Sequence, residues 1–224
     1  MTIKLVVLHK YFSLILNNKL IMYEKLIQSV DCLNSNDLRT IQSKLEFLNY
    51  KRSLVLNNKG QYAVSGRTSL GCILDEDSEE CKILHKSINS ALCKYKDKIF
   101  EEFGKIFDRY PLIVGKDTTC FREQIQILKY EKGDIYDYHH DTGDYPNKKY
   151  YFRMFSVVLY LNDDFGGGTT NFIHNEYKPN PGQALIFPSN WIFKHKGSEV
   201  TSGTKYVVVT WYYVQQSNCN FSFP

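Results

Sequence analysis

From Asn36 onward the apolar residues fall at Leu38, Ile41, Leu45 and Leu48, a spacing of three or four that predicts one face of a helix. A longer stripe follows at Leu84, Ile88, Leu92, Tyr95, Ile99 and Phe103. Asp77, with Glu80 three residues later, predicts the N-terminal cap of that second helix. Both segments read as amphipathic helices covering something apolar. From about Phe121 the period changes. REQIQILKY, MFSVVLYLN, TTNFI, QALIFP and KYVVVTWYYV are short β-branched and aromatic runs, separated by EKGD, DDFGGG, NPG and TSG. Helices followed by five such strands predict an α+β fold, an antiparallel sandwich or barrel with helices packed outside. No repeat, low-complexity tract or linker interrupts the pattern, so the chain reads as one folded unit.

Composition narrows this picture only a little. At 224 residues the chain suits one ordinary domain with an appendage. Hydrophobic residues at 43% and charged residues at 23% are globular values and exclude a disordered chain. The 17 Tyr and 14 Phe suit a strand-rich core or a ligand-lined cavity. A net charge of +4 comes from lysines spread along the chain, so no nucleic-acid partner is expected. The six cysteines form no CxxC, which argues against a zinc module or a dense disulfide framework. Cys72 and Cys81 lie close enough to bridge a loop in an oxidising compartment; scattered reduced thiols are the simpler reading. The apolar N-terminus, MTIKLVVLHKYFSLILNNKLIM, is broken by His9 and Lys10 and lacks a small-residue cleavage site. It falls short of the roughly 18–20 apolar residues of a membrane span, so no span is expected. Localisation stays open, with the cytoplasm favoured over the secretory pathway. Asn220-Phe221-Ser222 fits a glycosylation sequon near the C-terminus.

The candidate chemistry sits in YDYHHDTGD, Tyr136 to Asp144, which holds two of the chain's six histidines side by side. Strand alternation sends His139 and Asp141 to one face and His140 to the other. One imidazole and one carboxylate projecting together make two legs of a metal site. The third must come from His9, His85, His174 or His195. His195 lies between two predicted strands, where a hairpin-rich sheet can fold it back against His139. Two histidines and a carboxylate on one face of a metal mark non-haem Fe(II) oxygenases, and zinc accepts the same ligands in hydrolases. A second feature concerns Lys205, in phase with Val207, Val209 and Trp211 on a strand apolar on both faces. Its amine either snorkels to water at the strand edge or points inward, where a buried ammonium needs an anion.

These residues resemble the 2-oxoglutarate and Fe(II)-dependent dioxygenases, and within them the prolyl 4-hydroxylase catalytic-domain group. The resemblance runs from about Arg67 to Val214. LKYEKGDIYDYHHD is similar to the family segment in which Tyr, Gly and Tyr lead into HxD, here Tyr130, Gly133, Tyr136, His139 and Asp141. LYLNDDFGGGTTNF resembles the family's Leu-Asn, Gly-Gly, Thr and Phe segment. FPSNWIFKHKGSEVTSGTKYVVVTWYYV is similar to the distal-histidine segment, with a lysine ten residues after His195 and a tryptophan six further on. SGRTS, Ser65 to Ser69, resembles the upstream Arg-Thr-Ser segment.

The resemblance implies a double-stranded β-helix (jelly-roll) core over 121–216. An N-terminal region, 1–120, would pack helices against its major sheet and supply a substrate-side loop. It implies His139, Asp141 and His195 as catalytic iron ligands and Lys205 as the partner of the distal carboxylate of 2-oxoglutarate. Tyr130, Tyr160, Thr170 and Trp211 would complete the co-substrate pocket, and His140 and His174 match no ligand position. The implied reaction consumes O2 and 2-oxoglutarate, releases succinate and CO2, and hydroxylates a substrate, with ascorbate keeping the iron reduced. A proline-containing peptide or protein is the expected substrate; lysyl or other amino-acid hydroxylation is the alternative within the same chemistry. Nucleic-acid demethylases of the superfamily use arginines downstream of the distal histidine, and this chain has none after Arg153. A non-enzymatic peptide-binding relative is disfavoured by the presence of all three ligands and the lysine. The segment Asp144 to Tyr151 departs from the family in length and lysine content, which bears on substrate choice.

Overall fold

An eleven-residue strand, Lys205–Gln215, organises the molecule, because its two faces are buried against different layers. The computed structural model describes residues 23–53, 55–56, 62–63, 66–107, 121–142 and 151–215. Among these, the larger sheet runs in the order β1 (Gln28–Asp31), β13 (Gln183–Pro188), β9 (Tyr151–Tyr160), β16 (Lys205–Gln215), β7 (Gln126–Tyr130), β5 (Leu70–Ile73) and β2 (Lys51–Arg52). A short β6 (Phe121–Arg122) also pairs with β16. The smaller sheet is β12 (Glu176–Tyr177), β11 (Thr170–Phe172), β14 (His195–Gly197) and β8 (Tyr136–His139). Two ribbons join β10 (Gly166–Gly167) to β15 (Val200–Ser202) and β3 (Val55–Leu56) to β4 (Tyr62–Ala63). All of these pairings are antiparallel.

The helices are α1 (Ser35–Gln42) and α2 (Glu79–Phe107). The stripe read from the sequence on α2 is its buried face: Leu84, Ile88, Leu92, Tyr95 and Ile99 are buried, and Phe103 packs at the margin. They meet Ile127, Val157, Leu159, Ile186 and Val208 on the outer face of the larger sheet. The cap differs from the expected Asp77–Glu80 pair. The helix starts one residue later than that pair requires, and Ser78 Oγ accepts from the Cys81 amide at 3.2 Å. The first stripe also holds, on a shorter helix than expected. Asn34 caps α1 by accepting from the Asn36 and Asp37 amides, and the helix ends at Gln42. Leu45 then continues the buried line from a 3-10 turn, Leu45–Phe47.

All five predicted strands are present. The first half is less purely helical than its pattern implies, because β1, β2 and β5 extend the larger sheet at both edges. Cys72 and Cys81 are free thiols. No helix among the described residues is long and apolar enough to cross a membrane. The apolar segment 1–22, Ser65, the 144–150 departure and the 220–222 sequon lie outside the described residues.

Candidate metal centre

β8 and β14 pair so that His139 and His195 are direct cross-strand partners, with ring centroids 4.3 Å apart. The fold therefore brings the distal histidine onto the HxD motif, as the hairpin reading expects. Each ring is oriented by its own backbone. His139 Nδ1 lies 2.8 Å from the Asp137 carbonyl and His195 Nδ1 lies 3.0 Å from the Phe193 carbonyl. A carbonyl only accepts, so both Nδ1 atoms carry the proton and both Nε2 lone pairs are free to bind a metal.

Asp141 lies past the end of β8, so its direction comes from other contacts rather than from strand alternation. Its amide donates to the Ser189 carbonyl at 3.2 Å, and Ser156 Oγ donates to its Oδ2 at 2.7 Å. Ser156 lies on β9 and also bonds Ser189 Oγ at 2.8 Å. The carboxylate is thus fixed to the larger sheet while both imidazoles stand on the smaller one. Asp141 Oδ1 is 3.6 Å from His139 Nε2, and its Oδ2 is 3.6 Å from His195 Nε2. Two ligands held about 2.1 Å from one ion sit roughly 3–3.5 Å apart, so these spacings are of ligand-pair size and too long for hydrogen bonds. All three ligand atoms lie within 4.8 Å of one another. The donor set, two imidazole nitrogens and one carboxylate on one side, fits a divalent transition metal with open positions opposite.

The electrostatics agree with that fit. Burial alone raises the Asp141 carboxyl, but the two imidazoles and the Ser156 hydroxyl hold it down to about 2. Burial, then the neighbouring His195, brings His139 down to about 4. Both groups are therefore in the form that binds a cation at neutral pH.

These three residues line a half-open pocket of about 520 Å³, solvent at its mouth included. Lys205, only 3% exposed, lines the same pocket. Its Nζ donates to the Gly168 carbonyl at 2.6 Å and lies 5.2 Å and 4.8 Å from the ring centres of Tyr130 and Tyr160. Burial, and then Lys178, lowers its pKa to about 7. Gly168, with φ of +63°, lets the chain approach this closely: a Cβ there would meet Phe165 Cε2 at 2.8 Å and Lys205 Cδ at 3.2 Å.

The remaining expected residues divide. Tyr130, Thr170 and Trp211 line the pocket. Tyr160 stands behind its wall, fully buried, with its hydroxyl 2.8 Å from Thr170 Oγ1. His140 and His174 are exposed and outside the cluster.

Several residues of the site receive no role from the sequence, although Tyr136 and Arg67 stand in the motifs that carry the resemblance. Ser156 and Ser189 support Asp141, as described. Arg153 makes a two-pronged ion pair with Glu123, at 2.6 and 2.8 Å, and its guanidinium covers the Trp211 ring at 3.9 Å. Tyr136 stacks on His139, ring centroids 3.6 Å apart. Arg67 lies over Tyr136 at 4.7 Å and donates through Nε to Ser69 Oγ, yet its buried Nη2 has no hydrogen-bond partner among the described residues. A buried guanidinium donor left open at a pocket wall is suited to an incoming acceptor.

Residues 125–213 match the family model of the 2OG-Fe(II) oxygenase superfamily. That segment belongs to the 2OG-Fe(II) oxygenases. The oxygenase segment contains every expected ligand and pocket residue, whereas Arg67 and α2 precede it. A curated protein of Acanthamoeba polyphaga mimivirus, named "Putative prolyl 4-hydroxylase", is 31% identical over 107 residues. That match covers 40% of this chain and 44% of the relative, so the chain spans less than half of that protein's length.

Solved structures share the fold at low identity. A prolyl hydroxylase of Trichoplax adhaerens, in complex with a hypoxia inducible factor peptide fragment, gives a TM-score of 0.60 at 15% identity, over 96% of this chain and 94% of that one. The viral collagen prolyl hydroxylase of Paramecium Bursaria Chlorella virus-1, as a 2OG complex, gives 0.55 at 18%, over 84% and 96%. A Pseudomonas putida prolyl-4-hydroxylase gives 0.56 at 16%, over 86% and 94%.

Proposed function

We infer that the chain is a 2-oxoglutarate- and Fe(II)-dependent dioxygenase that hydroxylates prolyl residues of a peptide or protein. One juxtaposition carries the reading: a three-ligand cluster and a buried amine line the same pocket. A keto-diacid chelating the metal would pair its distal carboxylate with that cation. In this reading the two antiparallel sheets are the halves of a jelly roll, with the site between them.

His139, Asp141 and His195 would hold Fe(II), whose chemistry when bound is the activation of O2 coupled to decarboxylation of 2-oxoglutarate. Lys205 holds the distal carboxylate, and the Gly168 carbonyl aims its ammonium. Tyr130 and Thr170 shape the co-substrate channel, and Tyr160 fixes the Thr170 hydroxyl from behind. Formal charges balance when the site is filled: a dication, the Asp141 carboxylate, a dianion and the Lys205 ammonium sum to zero, which suits a buried site. Trp211, Leu128, Val207 and Val209 keep the pocket apolar and exclude water. The open Arg67 donor lies where a substrate carbonyl would be oriented. Ascorbate would restore iron oxidised in turnovers that miss the substrate.

The test is to incubate the protein with Fe(II), 2-oxoglutarate, ascorbate and proline-containing peptides, reading succinate and peptide mass. One oxygen atom on proline, with succinate in equal amount, is expected; His139→Ala should abolish both. Equal succinate from wild type and His139→Ala would reject the enzyme reading. Oxygen added elsewhere than on proline would reject the substrate while keeping the reaction.

A further inference from the structure

The alternation that turns His139 and His195 into the pocket turns Tyr138 and Lys196 to the opposite side of the smaller sheet. Tyr138 is 42% exposed. Lys196 Nζ lies 5.0 Å from the centre of its ring and Lys194 Nζ lies 6.0 Å from it. Neither lysine forms an ion pair among the described residues. Glu176, on the same sheet, is engaged by the Asn171 amide at 3.3 Å. The 3-10 turn Trp191–Phe193, which leads into Lys194, exposes Trp191 by 72% and Ile192 by 47%. An aromatic and cationic surface therefore begins next to two of the three ligands: Tyr138 precedes His139, and Lys194 and Lys196 flank His195.

We propose that this outer face selects acidic side chains on the substrate peptide, at positions flanking the residue that is oxidised. The proposal rests on the peptide-hydroxylase reading above. Two ammonium groups over one tyrosine match a pair of carboxylates, and Trp191 and Ile192 offer apolar contact to the same segment. A nucleic-acid strand would instead need a track of cations along its backbone, which the spread of lysines does not supply. β8 ends the smaller sheet, so a peptide whose target lies at the metal would round that edge to meet this face. Exposed charge pairs act weakly and mainly on encounter and retention. The effect belongs in KM, and kcat is untouched.

The experiment compares proline peptides flanked by Asp and Glu with the same peptides carrying Asn and Gln. The enzymes are the full chain and its Lys194→Glu/Lys196→Glu variant. For wild type, KM should be about five-fold lower for acidic peptides at low salt, on the order expected for two exposed pairs, with kcat equal. The preference should shrink at high salt. The variant should lose it and gain a preference for lysine-flanked peptides, a gain that a misfolded variant could not show. Succinate released without peptide should be the same in both proteins.

Anisotropy of a labelled Asp- and Glu-flanked peptide, read without turnover, separates this proposal from the reaction itself. Salt-sensitive binding abolished in the variant supports the surface even if no proline is oxidised. Equal KM for acidic and amide peptides, an acidic preference that survives charge reversal, or tighter binding of a labelled single-stranded oligonucleotide would each overturn it.

Discussion

At the scale of single residues, Lys205 is where sequence and environment conflict most. Its amine is buried beside two aromatic rings, and burial, then Lys178, lowers its pKa from 10.5 to about 7. A lysine whose pKa is lower in the folded than in the unfolded state binds fewer protons when folded, so this group's destabilisation is fully present below about 7 and fades as pH rises toward 10.5. In the absence of co-substrate, Lys205→Met should therefore melt higher than wild type at pH 6, and the gap should narrow steadily above pH 7. Differential scanning calorimetry across that range checks the sign; a gap that stays level with pH would show the amine to be solvated. The direction of Lys205 is only half legible in the sequence, because a strand apolar on both faces allows the amine to snorkel or to turn inward, and the structure buries it. Ser156 and Ser189 are not legible. A hydroxyl in a strand carries no mark of the carboxylate it will meet, and Asp141 finds them only after the chain has left β8. Tyr160 carries the opposite lesson: the motif marks it for the pocket, but it is not among the lining residues and its hydroxyl bonds Thr170 instead.

Among elements, α2 and β16 form the frame on which the pocket depends. Tyr206, Val208 and Tyr212 of β16 face the helix layer, while Lys205, Val207 and Val209 face the site. Ile88 is fully buried in the middle of α2. Ile88→Ala should lower stability by about 2–5 kcal/mol through lost burial and the cavity left behind. Urea melts should register that loss while Fe(II) and 2-oxoglutarate affinities measured well below the transition stay near wild type. The long stripe of α2 could be read directly because twenty residues of period 3.6 average out exceptions. β1 and β5 could not. Each is four residues long, β1 buries Val30 alone, and β5 contains Gly71, so neither shows an alternation long enough to count. Arg67 lies just before β5, outside the oxygenase segment, and its open donor becomes visible only when Tyr136 is seen beneath it.

For the whole molecule, the three ligands join the two sheets through Asp141, beside the hydrogen bond of Tyr160 to Thr170. A bound ion is then a cross-link present in the folded state alone, and binding of that kind stabilises by mass action, about 2.7 kcal/mol at a hundred-fold excess over Kd. Mn(II) with 2-oxoglutarate should raise the melting temperature, a chelator should reverse the rise, and His195→Ala should show no response to either. The direct pairing of His139 with His195 has a consequence for how the chain reaches this state. Sliding β8 by one residue would present the adjacent His140 to the same partner, giving two imidazoles but turning the carboxylate away. Only the correct zipping offers an ion all three ligands, so a bound metal would favour the aligned hairpin over its slipped twin.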